Sequence, residues 1–77
     1  MKIEELRGKK LVGHYDIDEK GDLTPYFMIS KIEYFWGHFA VIGNTRGCRV
    51  TFTEEQFFEL VSFGRVRIST HNYWIEP

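Results

Sequence analysis

Apolar and polar positions alternate along most of the chain, and the alternation breaks wherever glycine, proline or an acidic run intervenes. A period of two predicts short β-strands joined by tight turns. Lys9 to Ile17 (KKLVGHYDI) is the first predicted strand, with Leu11, Tyr15 and Ile17 on its inner face and His14 and Asp16 on the other. The polar run Asp18-Glu19-Lys20-Gly21-Asp22 ends it as a loop, and Pro25 suits the start of the next strand. Tyr26 to Trp36 (YFMISKIEYFW) is the longest β-rich run. Tyr26, Met28, Ile32, Tyr34 and Trp36 share one parity in it, and Phe27, Ile29 and Phe35 share the other. Apolar side chains on both parities predict a strand buried on both faces, or one whose outer face meets a partner.

Gly37-His38 predicts a reversal, Phe39 to Gly43 a third strand, and Asn44-Thr45-Arg46-Gly47 a second turn. Cys48, Val50 and Phe52 then alternate with Arg49, Thr51 and Thr53. The period changes at Thr53. Thr53 and Gln56 form a capping-box pair, and Glu54 and Glu55 suit the positive end of a helix dipole. Phe57, Leu60, Val61 and Gly64 repeat at helical spacing, which predicts a helix from Glu54 to Phe63 stopped by Gly64. Arg65 to Thr70 returns to alternation, with Val66 and Ile68 inward. Tyr73, Trp74 and Ile75 suggest a further short strand or a packed edge.

Four strands, one short helix and a final strand make a mostly β domain covering residues 1–77. That order resembles the SH3-like small barrels, in which a helical turn separates the last two strands; the resemblance implies a closed β-barrel. The alternative is an α+β domain, an antiparallel sheet packed on the helix. An OB-type barrel places its helix one strand earlier and fits less well.

Composition narrows the function classes. The chain has 77 residues, 11 acidic and 10 basic, for a net charge of −1. That balance disfavours both a general nucleic-acid binder and an acidic nucleic-acid mimic. MKIEELRGKK has no apolar stretch of the kind a secretory leader carries, and no run reaches the roughly 18 apolar residues that span a bilayer. With Cys48 as the single cysteine, the expectation is a cytoplasmic protein without membrane association.

Candidate chemistry is sparse. His14, Asp16 and Asp18 alternate and share a side, the spacing of a metal or acid–base site, but a solvated strand end explains them more simply. A calcium-loop likeness beginning at Asp16 fails at Lys20 and Phe27, where oxygen ligands belong. Cys48 reads as a core residue, because a reactive thiol needs a polarising neighbour. No catalytic or nucleotide-binding fingerprint is present. The expectation is a protein that is not an enzyme and uses no cofactor or metal.

Thirteen aromatic residues exceed what so small an interior holds comfortably, so some are expected to face a partner. Tyr34, Phe35, Trp36, His38 and Phe39 form the densest cluster and the candidate partner-binding surface. Arg49, Arg65 and Arg67 point outward by strand parity, with Arg46 in a turn nearby. If their strands pair, they make an anion- or phosphate-binding patch.

The leading expectation is a non-catalytic interaction module that binds a protein partner, and itself as a homo-oligomer, through the aromatic surface with arginines at its rim. Size and simplicity place phage-encoded inhibitors of a host system among the candidates. The alternative is an oligomer that sequesters a small nucleotide or nucleotide-derived signal, stacking the base on an aromatic ring and holding phosphate with arginine. Single-stranded nucleic-acid binding is a third reading, weakened by the charge.

Overall fold

A computed structural model describes residues 2–16 and 21–77. After a 3-10 turn at Ile3–Leu6, the chain forms β1 (Lys10–Tyr15), β2 (Leu23–Phe35), β3 (His38–Gly43), β4 (Arg49–Thr53), α1 (Glu54–Phe63), β5 (Arg65–Ile68) and β6 (His71–Glu76). All six strands lie in one antiparallel sheet of order β4-β3-β2-β1-β6-β5. The fold is mostly β with one helix, and the expected barrel does not close. The reason lies in the tail. His71–Glu76 is a sixth strand that pairs with β1, and a two-residue turn sends β5 to its outer side. β4 and β5 therefore end as separate edges, and α1 packs against β3, β4, β5 and β6 between them.

The sheet is nonetheless strongly curled. Phe52 on β4 and Tyr73 on β6 stand four places apart in the strand order, which in a flat sheet means about 19 Å. Their rings meet edge to face with centroids 5.2 Å apart. The core sits inside that curl and consists of Leu6, Leu11, Ile29, Val41, Phe52, Phe57, Leu60 and Val66. Among the described residues no polar or charged side chain is buried.

β2 departs from simple alternation for a physical reason. Its first half pairs with β1 and its second half with β3, and the ladder to β3 shifts register between Ile29 and Lys31. One extra residue in a strand exchanges its faces. Phe27 and Ile29 point inward before the shift and Ile32 after it, leaving Tyr26 and Met28 exposed. Pro25, which has no N–H to give, sits where the β1 ladder is itself irregular, between the pairs Val12↔Tyr26 and His14↔Leu23. Tyr15, expected inside, lies at the strand end with its ring edge-on to His71. Ile17 and Asp18 to Lys20 lie outside the described residues.

The helix forms as its sequence requires. Thr53 accepts a hydrogen bond from the Gln56 backbone N–H, and the Gln56 side chain accepts one from the Thr53 N–H. Gly64, at φ 75°, ends α1 in the left-handed conformation and donates to the Leu60 carbonyl.

Candidate functional site

Phe35-Trp36-Gly37-His38 is a two-residue hairpin turn, with Phe35 and His38 paired across it. Trp36 (φ 50°) and Gly37 (φ 76°) both have positive φ, the pattern of a type I′ turn. Glycine takes that conformation freely, whereas a bulky L-residue does so at a cost. Trp36 is also 91% exposed, the most exposed large apolar side chain described. His38 Nδ1 donates to the Trp36 carbonyl (2.9 Å) and braces the turn from within.

Strand alternation divides the rest of the aromatic cluster. Tyr34 and Phe39 are cross-strand partners with ring centroids 4.7 Å apart, and Phe39 stacks on Phe57 of α1 at 4.2 Å. The Tyr34 hydroxyl donates to Glu54. That bond, followed by desolvation and the carboxylate's charge, raises the phenol's pKa above its ordinary value. Phe35 points to the other side, where the Arg49 guanidinium lies 5.4 Å from its ring centre.

The Tyr34 side continues into an apolar groove of about 460 Å³ lined by Ile3, Phe39, Phe57, Phe58 and Val61. Its only ionisable lining residues are Glu54 and Glu55. Phe58 is 72% exposed there. The aromatic surface thus has carboxylates on the groove side and a single arginine, Arg49, on the Phe35 side. A continuous arginine rim is not formed.

The four arginines separate for the same topological reason. β4 and β5 are the two edges of the sheet, so strand pairing does not bring Arg49 to Arg65 and Arg67. Arg46 lies exposed in the turn before β4. Arg65 and Arg67 do share a face, opposite the buried Val66. Cross-strand pairing adds Trp74 beside Arg65 and Asn72 beside Arg67, and His14 beside Asn72. These side chains, with Phe63 from the end of α1, line an open cleft of about 880 Å³.

Asp16 holds this group in place. One carboxylate oxygen pairs with Arg67 (2.6 Å) and the other accepts from the Asn72 amide. Of the predicted His14-Asp16-Asp18 triple, His14 faces the cleft, Asp16 is engaged with Arg67, and Asp18 lies outside the described residues. No group of three or more His, Cys, Asp or Glu suited to a metal comes together among the described residues. Cys48 is a half-buried free thiol one residue ahead of β4, and its N–H donates to the Thr45 carbonyl.

Sequence reasoning missed three contributors. Leu6 is buried, although only one apolar turn in a charged segment announces it. Phe58 reads as widening the helix stripe, yet the 3.6 period carries it past the core to the groove. Trp74 joins Arg65 through the pairing of β6 with β5, and no local signal marks that neighbour. No helix among the described residues is long and apolar enough to cross a membrane. Compared with family models, with curated proteins and with solved structures, the chain matches none of them.

Proposed function

We propose that this chain is a non-catalytic binding module that holds a protein partner through the Trp36 hairpin tip and the adjoining groove beside α1. The observation that carries the reading is the placement of Trp36: an indole almost wholly in solvent, on backbone that disfavours it. Local strain kept at an exposed aromatic is characteristic of a recognition position. Tyr34, Phe39 and Phe58 extend the apolar surface from the tip to the groove, the size of a small contact rather than a scattered set of rings. A second copy of the chain is a further candidate for the same surface.

The test is affinity capture with wild type and the double variant Trp36→Ser/Phe58→Ser, both residues being exposed and outside the core. The wild type is expected to retain a defined species, or to dimerise by light scattering, and the variant to lose it with an unchanged circular-dichroism spectrum. A folded variant that retains the same species and the same mass overturns the reading.

A further inference from the structure

We infer that the cleft on the outer face of β1, β6 and β5 is a binding site for a nucleoside monophosphate or a closely similar ligand: one planar heteroaromatic ring carrying one phosphate. It is independent of the hairpin surface and involves none of its residues.

The register builds the site. Trp74 lies between Val12 on one neighbouring strand and Arg65 on the other, and Asn72 lies between His14 and Arg67. Cross-strand partners share a face with their Cβ atoms about 5 Å apart, and both Trp74 and Arg65 line the cleft. The indole is held in orientation, because its Nε1–H donates to Glu76 (3.1 Å). A fixed indole beside a cleft is a stacking platform for a base.

Arg65 and Arg67 are two residues apart on one strand, a separation of about 7 Å, which places a single phosphate within reach of both forks. Arg67 is pre-positioned: its Nε donates to the Ser69 carbonyl (3.0 Å) and its Nη2 pairs with Asp16, leaving donors on the far side of the fork. Arg65 makes no ion pair among the described residues. Glu59 also lines the cleft. With Asp16 on Arg67 and Glu76 on Trp74, it sets three carboxylates near two guanidiniums, which disfavours a polyphosphate. The volume of about 880 Å³ is within the range that small-ligand sites occupy.

Adenosine monophosphate, adenosine and inorganic phosphate, titrated separately and followed by amide and indole NMR, test the site. The two indole N–H signals report on the two surfaces. Adenosine monophosphate is expected to move Trp74 Nε1–H and the amides of His14, Arg65 and Asn72 saturably at sub-millimolar concentration, leaving Trp36 Nε1–H in place. Adenosine and phosphate alone are expected to bind about tenfold more weakly or worse, and Arg65→Ala to weaken the nucleotide by about tenfold while Arg46→Ala does not. No movement at several millimolar, affinity indifferent to Arg65→Ala, or movement centred on Trp36 overturns the inference. Arg65→Lys separates a bidentate fork from charge alone: retained affinity in that variant overturns the two-fork clamp.

Discussion

A tryptophan at the first central position of a type I′ turn works against the backbone that carries it. Left-handed backbone costs an ordinary L-residue roughly 1–2 kcal/mol, and asparagine relieves much of that through local hydrogen bonding. Trp36→Asn is therefore expected to stabilise the fold by about 1 kcal/mol, seen as a rise of about 4–8 °C in Tm for a domain of this size. The same change removes the exposed indole and abolishes capture of the partner. An unchanged or lower Tm in calorimetry would show that the ring itself stabilises the hairpin. Tyr34 and Tyr73 offer a second residue-scale test. Donation to Glu54 holds the Tyr34 phenol above its usual pKa, and burial does the same for Tyr73. Both favour the neutral form in the folded state. The stability they contribute is complete below about pH 10, where the unfolded phenol begins to ionise, and is lost as pH rises through the folded values. Thermal midpoints are expected to fall above pH 10, less steeply in Tyr73→Phe. In an absorbance titration, Glu54→Gln should bring Tyr34 back toward its ordinary value.

At the scale of elements, what the sequence reveals depends on how local its causes are. The helix was readable to its ends because Thr53, Gln56 and Gly64 act within a turn of themselves. Thr53→Ala should accordingly cost about 1 kcal/mol, measured by denaturant unfolding, with the m-value unchanged. The inward face of β2 was not readable. Its exchange at Ser30 follows from β3 pairing in a shifted register, and no residue near Ser30 records what β3 does. Tyr34 and Phe35, grouped by sequence into one partner-binding surface, are adjacent in a strand and so face opposite sides. Parity could not say that Tyr34 would join α1 while Phe35 joined Arg49, because that depends on which elements cover each side.

At the scale of the molecule, the arginines make the same point more sharply. A patch of Arg49, Arg65 and Arg67 required β4 to neighbour β5, and the tail decided otherwise by becoming a strand of its own. Two of the three stayed together because they occupy one strand. Closure of the core across the curl rests heavily on Phe52, which is buried and touches Phe57 and Tyr73. Phe→Ala changes in cores cost about 3–5 kcal/mol, against a total stability of about 4–12 kcal/mol for a chain of this length. Phe52→Ala is expected to leave little cooperative unfolding transition, whereas Phe58→Ala, on the exposed side of α1, should change stability by less than about 0.5 kcal/mol.

β6 is late in sequence and interior in space: β1 on one side, β5 on the other, with Lys10 paired to Glu76. During synthesis, β1 finds β2 early but keeps its other edge open until residues 71–76 have left the ribosome. Contacts this distant in sequence slow folding, and an open edge is a template for the wrong neighbour. A nascent or prematurely terminated chain ending near Thr70 would lack the strand that covers β1, leave β5 unmoored, and be handed to chaperones and proteases. Removal of residues 71–76 is thus expected to be as damaging to the fold as removal of β1, since each strand covers an edge of the other.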